Sequence, residues 1–341
     1  MKAPVLRAID PRSPDASLLD EAASRLRRGE LVAFPTETVY GLGGLATDVR
    51  SLARIFAAKG RPVTHPLIAH VEGFDGLLRL ARDVPASARA FADAFWPGGL
   101  TLVVPKASSV PPELTGGTDS VAVRVPSHPV ALAFVRSVGA PVAAPSANRY
   151  QGISPTTAVH VVRSLGDRVD FVLDAGPTTS GIESTVLDLT REVPTILRPG
   201  AIAISELRRI DARVVALATV VDESEARVSP GMDAKHYAPD AHVVVVTSRL
   251  ESLALARDES GRRKVALLLR GAPPVDGERD GLDGALVRAL PDDPSDYARG
   301  LYAALHDFES AGVAVVVVEA VPSDEAWWAV RDRLTRASSS R

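Results

Sequence analysis

A short apolar run at residues 31–34 is followed directly by side chains that could bind a ligand. The run has the length of a buried strand, and Pro35, which lacks an N–H, cannot continue a central ladder. Two hydroxyls, a carboxylate and a phenol come next: Thr36, Thr38, Glu37 and Tyr40. Ligands of α/β proteins bind at strand ends of this kind, so the sequence predicts a site for a polar small molecule here.

Two cations stand a short distance further along. Residues 51–58 have helical spacing, and Lys59 and Arg61 follow in a turn that Pro62 and Pro66 restrict. Gly41, Gly43 and Gly44 are predicted to let the backbone turn tightly or approach a ligand closely. Each feature also has an ordinary explanation, because glycine-rich loops commonly only turn the chain and surface cations are commonly solvated. The combination favours an anionic ligand.

The same design recurs at residues 141–149. An apolar run ends in Pro145, and Ser146 and Asn148 follow. Two parallel strands that end alike would direct both sets of polar groups into one crevice. Ser146 has no general base at a fixed spacing and is not predicted to be a nucleophile, and it could also belong to a simple Ser or Asx turn. Ser154 is a ligand contact, the N-cap of a helix over residues 156–165, or both.

Two further arginines lie on predicted strands. Arg124 stands among valines at residues 120–126, where a buried guanidinium requires a carboxylate or phosphate partner. A structural ion pair would satisfy that requirement as well as a ligand would. Arg198 ends an apolar run that follows the block Gly-Ile-Glu-Ser-Thr-Val at residues 181–186.

Taken together, these blocks resemble the signature of the YrdC-like threonylcarbamoyl-AMP synthases, in the long two-domain form. The blocks are Pro-Thr-Glu-Thr-Val-Tyr-Gly-Leu, Lys-x-Arg-Pro, His-Pro-Leu, Ser-x-Asn and Gly-x-x-Ser-Thr-Val, and they occur in the family's order across residues 31–200. The resemblance implies an α/β fold with a YrdC-like twisted open sheet and a concave active site. It also implies a smaller Rossmann-like α/β domain at the C-terminal end.

The resemblance implies a role for individual residues as well. L-Threonine contacts are expected from Thr36, Tyr40, His70, Arg124, Ala144 and Ser184. ATP contacts are expected from Lys59, Arg61, His65, Ser120, Ser146, Asn148, Ser154, Arg198 and Tyr237. Lys59 and Arg61 are the expected catalytic residues, because they can stabilise phosphate charge. Mg²⁺ is expected to bind through the ATP phosphates rather than protein ligands, and no organic cofactor is expected.

The implied reaction condenses L-threonine, bicarbonate (or CO2) and ATP to threonylcarbamoyl-AMP and pyrophosphate. The product would serve threonylcarbamoyladenosine (t6A) formation at position 37 of tRNA, through a downstream tRNA threonylcarbamoyl transferase, and a weak direct contact with tRNA is possible. The alternatives are an RNA-binding module and a related O-carbamoyltransferase-type protein. The absence of Cys from the sequence argues against the zinc-finger segment of the latter and against thiolate catalysis.

Three regions are expected along the chain: a YrdC-like catalytic domain at 1–210, a linker at 211–240 that folds over the active site, and a Rossmann-like domain at 241–341. The linker contains His236 and Tyr237 between Pro230 and Pro239, which suggests a lid over the nucleotide at 229–239. Relatives often carry Lys where this chain has Asp233, so no cation is expected at that position. The last domain lacks a glycine-rich phosphate loop after its first strand, so no second nucleotide site is expected.

Composition sets the remaining limits. The chain of 341 residues is 46% hydrophobic and 24% charged, as in ordinary globular proteins, and is long enough for two domains. A net charge of −3 argues against a broad electrostatic nucleic-acid surface. No apolar run approaches the roughly 20 residues that span a membrane. The sequence therefore predicts a cytoplasmic protein without a membrane contact.

Overall fold

The computed structural model describes residues 3–217 and 236–339, and these divide into two compact units. Unit 1 comprises the described residues up to 150 together with 154–179 and 183–217. Unit 2 comprises 236–339 and two short segments from the N-terminal part of the sequence, 151–153 and 180–182. No feature of the sequence indicated that these two segments group with the C-terminal unit. The predicted domain boundaries stay a prediction, and residues 218–235 of the predicted linker lie outside the described residues.

Unit 1 is built on one mixed, eleven-stranded sheet over the described residues, with the strand order β1-β8-β2-β3-β7-β4-β6-β5-β9-β10-β11. Its strands are β1 (Val5–Ala8), β2 (Val32–Phe34), β3 (Gly41–Leu45), β4 (Ile68–His70), β5 (Leu100–Pro105), β6 (Ser120–Arg124), β7 (Val142–Ala143), β8 (Phe171–Asp174), β9 (Thr185–Asp188), β10 (Thr195–Arg198) and β11 (Val215–Ala216). Its helices are α1 (Ala16–Arg27), α2 (Val49–Lys59), α3 (Phe74–Leu80), α4 (Ala86–Phe95), α5 (Pro112–Thr115), α6 (Pro129–Val138), α7 (Ala158–Leu165) and α8 (Ile204–Arg208).

The glycines of the first motif form a strand, which corrects the predicted tight turn. β3 pairs antiparallel with β2 on one side and with β7 on the other. A Cβ atom on Gly43 would lie 2.9 Å from the carbonyl oxygen of Val32, and one on Gly41 would lie 3.1 Å from Cβ of Ala144. Glycine is required here because the strand packs closely against its neighbours, so the residue type signals close backbone packing and not a reversal of the chain.

α2 is the helix that carries the first cation. It starts at the N-cap Asp48, whose carboxylate accepts from the backbone N–H of Arg50, and it ends at Gly60 in the left-handed conformation at φ 64°. Leu52, Ile55 and Phe56 are buried on one face, as their helical spacing predicted. The C-cap glycine ends the helix at Lys59 and turns the chain toward Arg61.

A hydrophobic core cluster of unit 1 holds the helices α1 and α6 against the sheet. Leu19, Leu26, Phe34, Phe134 and Phe171 are among its buried members. Phe34 on β2 packs against Phe134 of α6 with ring centroids 5.1 Å apart. This packing fixes β2, whose carboxyl end carries the first motif.

Unit 2 contains a four-stranded sheet in which all strands are parallel, in the order β12-β15-β13-β14. Its strands are β12 (His242–Val246), β13 (Val265–Arg270), β14 (Leu286–Leu290) and β15 (Val315–Glu319). Its helices are α9 (Arg249–Ser260), α10 (Asp276–Arg279), α11 (Pro294–Ser310) and α12 (Trp328–Ser338). The alternation of strands and helices confirms the predicted α/β class for this unit. None of the helices within the described ranges combines the length and apolar character needed to cross a bilayer.

Candidate functional site

The two strands that end in Pro-containing motifs run in the same direction, one on each side of β3. β2 and β7 are both antiparallel to β3, so residues 35–40 and 145–148 leave the sheet at the same edge. The two loops are hydrogen-bonded to each other: Leu42 N–H donates to the carbonyl of Pro145 at 2.8 Å, and Ala147 N–H donates to the carbonyl of Tyr40 at 2.8 Å. The structure therefore brings the first motif and the Ser-x-Asn motif together.

Lys59 joins the cationic turn to the Ser-x-Asn loop. Its ammonium donates to the carbonyl oxygens of Ser146 and Asn148, each at 2.6 Å, and the residue is 3% exposed. Burial lowers the pKa of Lys59 well below its ordinary value, the nearby Arg61 lowers it further, and Glu183 opposes this shift. A buried cation held by neutral carbonyls can interact with an incoming anion.

Arg61 and His65 lie in the turn that follows. Arg61 is buried and donates from Nη2 to the carbonyl of Pro66 at 3.1 Å, which stiffens the turn. The ring of His65 contacts Tyr150 edge-on, with centroids 5.5 Å apart. Tyr150 N–H in turn donates to the carbonyl of Lys59 at 2.8 Å, so these residues form one continuous wall beside the Ser-x-Asn loop.

Arg124, at the end of β6, has a carboxylate partner inside the protein. Its Nη2 lies 2.6 Å from Oε1 of Glu37, Nη1 donates to Oγ1 of Thr38 at 2.9 Å, and Nε donates to the carbonyl of Gly98 at 3.1 Å. Arg124 lowers the pKa of the buried Glu37 carboxyl, against the opposing effect of burial, which is the larger single influence. Glu37 also accepts from Ser127 N–H at 3.2 Å. The ion pair that the sequence left open is present, and it leaves part of the guanidinium fork for a ligand.

His70 is the register partner of Arg124 on the adjacent parallel strand β4. It is 3% exposed, and its Nδ1 has no hydrogen-bond partner among the described residues. Burial, assisted by the positive charge of Arg124, lowers the pKa of His70 to about 3. The imidazole is therefore neutral near pH 7, and it can donate or accept one hydrogen bond with a ligand beside Arg124.

Ser184 and Arg198 contact each other, although the resemblance placed them on different substrates. Arg198 donates from Nε to the carbonyl of Ser184 at 3.1 Å and from Nη2 to its Oγ at 3.0 Å. Thr101, which is fully buried on β5, lies 2.8 Å from the same Oγ. The structure therefore brings an expected threonine contact and an expected ATP contact together.

Comparison with known proteins decides what family this arrangement represents. A family model described as "Telomere recombination" (Sua5, YciO, YrdC) matches residues 24–200, and a model described as the C-terminal domain of threonylcarbamoyl-AMP synthase matches residues 202–339. This chain belongs to the Sua5/YciO/YrdC family. Both family models together account for nearly the whole described chain.

Full-length relatives support this assignment. The threonylcarbamoyl-AMP synthase of Pyrococcus abyssi is 40% identical over 94% of each chain, and that of Bacillus subtilis is 36% identical over 97% of this chain and 96% of its own. The crystal structure of P. abyssi Sua5 with L-threonine superposes with a TM-score of 0.90 at 38% identity, covering 98% of this chain and 97% of that one. The predicted α/β fold with a YrdC-like sheet is confirmed.

Several predicted contacts of this family member are engaged within the protein. Thr36 Oγ1 donates to the carbonyl of Val39 at 2.6 Å and shapes the turn after β2. The hydroxyl of Tyr40 donates to the carbonyl of Gly176 at 2.7 Å, and burial raises its pKa. Ala144 N–H donates to the carbonyl of Ile68 at 3.0 Å. These observations place the residues in the loops of the site and leave their ligand roles as predictions.

Ser154 is not the N-cap of α7, which corrects one of the two predicted alternatives. The N-cap is Thr157, whose Oγ1 accepts from His160 N–H at 3.3 Å. Ser154 is fully buried and donates from Oγ to Oε1 of Glu183. The Oγ atom of Ser120, at the start of β6, lies 3.4 Å from Oγ1 of Thr118.

Tyr237 belongs to unit 2. It is 1% exposed, it has φ 62°, and its ring lies 4.9 Å from the Arg333 guanidinium carbon and 5.9 Å from the ring of Tyr302. His236 packs against it with ring centroids 4.0 Å apart. The predicted lid at 229–239 lies largely outside the described residues, so the lid stays a prediction.

The sequence analysis assigned no role to three buried residues of the site: Glu37, Thr101 and Glu183. Glu37 was detectable, because a buried Arg on a strand requires a carboxylate and Glu37 lies between two predicted site residues. Glu183 was detectable because it directly precedes Ser184, a predicted site residue. Thr101 gave no signal beyond a hydroxyl on an apolar strand. Among the residues that the structure describes, no group of three or more His, Asp or Glu is placed to hold a metal ion.

Proposed function

We propose that this chain is an L-threonylcarbamoyladenylate synthase, which condenses L-threonine, bicarbonate and ATP to threonylcarbamoyl-AMP and pyrophosphate. The observation that carries the proposal is the pair of hydrogen bonds from the buried ammonium of Lys59, which join the Lys-x-Arg turn to the Ser-x-Asn loop. Relatives that are 36–40% identical over nearly the whole chain carry the same activity in their names. The joined loops support the proposal, because a buried ammonium at such a junction can hold a triphosphate in a fixed position.

The chemistry follows from the charges of the substrates. The threonine amine adds to CO2 to give a carbamate and a proton, or it condenses with bicarbonate to give the same carbamate and water. A carbamate oxygen then attacks the α-phosphorus of ATP, and the bond to the bridging oxygen breaks to release pyrophosphate. No covalent enzyme intermediate is required, so the protein acts by positioning and by charge stabilisation.

We assign the two substrates to neighbouring parts of the site. Arg124 and His70 lie side by side on β6 and β4, and we assign the threonine carboxylate to this pair. We assign the triphosphate to Lys59 and Arg61, with Arg198 and Ser184 at the junction. Mg²⁺ would be held by the ATP phosphates and would neutralise the charge of the leaving pyrophosphate.

The biological partners are part of the proposal. The product is a mixed anhydride that a tRNA threonylcarbamoyl transferase would consume to form t6A at position 37. Nothing in the described part of the chain favours the RNA-binding alternative or the O-carbamoyltransferase-type alternative. The weak tRNA contact and the cytoplasmic location expected from the sequence stay predictions.

Turnover of ATP tests the proposal. AMP and pyrophosphate should form only when L-threonine and bicarbonate are both present, and omission of either should reduce the rate to background. Release of ADP, or AMP formation that is indifferent to threonine, would contradict the assignment. L-Serine at the same concentration is a control for the side chain of the amino acid.

A further inference from the structure

Two three-residue segments link unit 2 to the site through the chain itself. Residues 151–153 and 180–182 group with unit 2, although both lie within the N-terminal part of the sequence. Each segment is followed directly by a buried site residue of unit 1, Ser154 in the first case and Glu183 in the second. Those two residues are hydrogen-bonded to each other. The two segments therefore lead into the two ends of one buried hydrogen bond.

Segment 180–182 is seated on α11. Gly181 has φ 73°, and a Cβ atom there would lie 2.5 Å from Cα of Arg299 and 2.7 Å from the carbonyl oxygen of Ala298. Both are backbone atoms of a regular helix, so no side-chain rotation could make room. Gly181 therefore satisfies two requirements, a left-handed backbone and contact with a helix backbone, that only glycine meets together.

Segment 151–153 is held by the residue after Tyr237. The carbonyl of Gln151, which itself has φ 65°, accepts from Ala238 N–H at 3.0 Å. Ile153 and Ile182, the last residues of the two segments, are both almost fully buried. Each segment is thus fixed by a backbone contact and by an apolar side chain.

The chain beyond Gly181 has little freedom before it reaches the reacting groups. Ser184 follows three residues later, a distance of at most about 10 Å for extended chain. Its Oγ is bound by Thr101 and Arg198, as described above. Gly200 closes the other side, because a Cβ atom on it would lie 2.4 Å from the carbonyl carbon of Ser184. A displacement at Gly181 must therefore reach Glu183 and Ser184.

We infer that α11 positions Glu183 and Ser184 through Gly181, which makes Gly181 a positioning residue for the Ser154–Glu183 pair and for Ser184. The contacts described above for segments 151–153 and 180–182 lie within unit 2. The identity of the affected substrates rests on the proposed function.

Substitution Gly181→Ala in the full chain tests the inference against Gly139→Ala as a matched control. Gly139 has φ 70°, but a Cβ atom there would meet nothing within 4 Å, so the control measures backbone strain alone. We expect the KM values for ATP and threonine to rise at least tenfold in Gly181→Ala and less than twofold in Gly139→Ala. Unchanged KM values in a folded Gly181→Ala protein would overturn the inference.

A double-substitution cycle separates positioning from general damage. Once Ser154→Ala has removed the Ser154–Glu183 hydrogen bond, adding Gly181→Ala should raise the KM for ATP less than threefold further. If the KM of the double variant equals the product of the two single fold-changes, the inference is overturned. For the control pair Gly139→Ala and Ser154→Ala, the fold-changes in KM should multiply in this way.

Two further measurements cover the case in which Gly181→Ala does not fold. Ile182→Val trims one buried methylene from the same segment, and it should raise the KM for ATP two- to fivefold. It should also speed hydrogen exchange at the amide of Thr185, which donates to the carbonyl of Gly99 at 3.0 Å. Unchanged exchange and KM would overturn the inference. Exchange does not require turnover, so a failure of the proposed function would leave this result readable.

Discussion

Both units contain buried or partly buried cations, but the cations have different partners. In unit 1, Lys59 is 3% exposed and its ammonium is held by two backbone carbonyls. In unit 2, Arg249 follows β12 and donates from Nε and Nη2 to the two carboxylate oxygens of Glu278, at 3.0 and 2.9 Å. The bidentate bond to Arg249 lowers the pKa of Glu278 to about 2.

The other arginine at the strand edge of unit 2 repeats the arrangement. Arg270, at the end of β13, forms an ion pair with Asp292, and its side chain is 27% exposed. Glu319, at the end of β15, accepts from the backbone N–H of Arg270 at 3.0 Å. Cations and carboxylates at this edge are thus matched to each other.

The difference predicts that an anionic ligand can bind at Lys59 without displacing a carboxylate, whereas at Arg249 it would have to break an ion pair. A phosphate at Arg249 would have to displace a bidentate carboxylate. A phosphate at Lys59 would instead give the ammonium a charged partner, where it now has only neutral carbonyl oxygens. Cations of the two units therefore have different consequences for ligand binding. The partner of a cation carries more functional information than the cation itself.

Removing the two cations provides the strongest test of this comparison. Lys59→Met should reduce kcat/KM for ATP at least a hundredfold, since a desolvated charged contact is worth roughly 2–4 kcal/mol. Arg249→Met should leave kcat/KM for ATP within twofold of the wild type. Steady-state kinetics at saturating threonine and bicarbonate would decide. Equal losses in both variants would show that the difference in partners does not predict ligand binding.

Arg124 differs from Lys59 of the same unit, because it is paired with a carboxylate as Arg249 and Arg270 of unit 2 are. Arg124→Ala should weaken threonine binding at least tenfold, and it should also destabilise the fold by roughly 3–5 kcal/mol because Glu37 stays buried without its partner. Calorimetric titration with threonine and chemical unfolding measure the two effects. Arg270→Ala removes an arginine from a more exposed ion pair and should cost only about 0–1 kcal/mol.

A double variant separates the two roles of Arg124. Arg124→Met combined with Glu37→Met removes both buried charges, so most of the lost stability should return while threonine binding stays weak. Threonine affinity that returned along with stability would mean that Arg124 has no ligand role. ATP affinity should change less than threefold in either protein, because the ion pair lies on the threonine side of the proposed site.

The sequence predicted much of unit 1 because strand ends have strong local signals. A proline after an apolar run marked the ends of β2 and β7, and the spacing of Leu52, Ile55 and Phe56 marked α2. β3 was missed because its glycines have no strand propensity, and their reason for being there is a neighbour that is distant in sequence. Long-range contacts of this kind cannot be read from local pattern.

The partners of the site residues were predicted less well than the residues themselves. Arg124 indicated a buried counter-charge, but nothing in the pattern distinguished Glu37 from a ligand carboxylate. The contact between Ser184 and Arg198 joins neighbouring antiparallel strands through a register that the sequence does not contain. The grouping of Gly181 with α11 depends on packing across more than a hundred residues. The identity of the site residues could be predicted from local sequence, whereas their partners could not.

Buried His70 should make the stability of the protein sensitive to acid. The pKa of His70 is lowered to about 3, from 6.5 for an unfolded histidine, so below pH 6.5 the unfolded chain binds the proton more readily. Stability from neutral His70 is therefore complete above pH 6.5 and is lost progressively as the pH falls toward 3, by about 1.4 kcal/mol per pH unit. His70→Gln should flatten this limb of the stability curve.

Urea unfolding at several pH values between 4 and 7.5 provides the measurement. His242→Gln, at an exposed position at the start of β12, is the control for a histidine-to-glutamine substitution outside the site. A slope that is the same in wild type and His70→Gln would show that another group causes the acid sensitivity. Threonine affinity of the wild type should be constant between pH 6.5 and 8 as far as His70 is concerned, because the imidazole remains neutral throughout that range.

The smallest effects are expected from two buried tyrosines, one in each unit. The Tyr40 hydroxyl donates to the carbonyl of Gly176 at 2.7 Å, so Tyr40→Phe should lower stability by about 1 kcal/mol and leave the KM for ATP unchanged. Tyr237→Phe keeps the ring that packs on Arg333 and Tyr302, so the melting temperature should change by no more than about 2 °C. If Tyr237 also contacts the nucleotide through its hydroxyl, as the family resemblance predicts, the KM for ATP should rise two- to fivefold. An unchanged KM together with a clear loss of stability would assign Tyr237 to packing of unit 2 alone, as its burial beside Arg333 already allows.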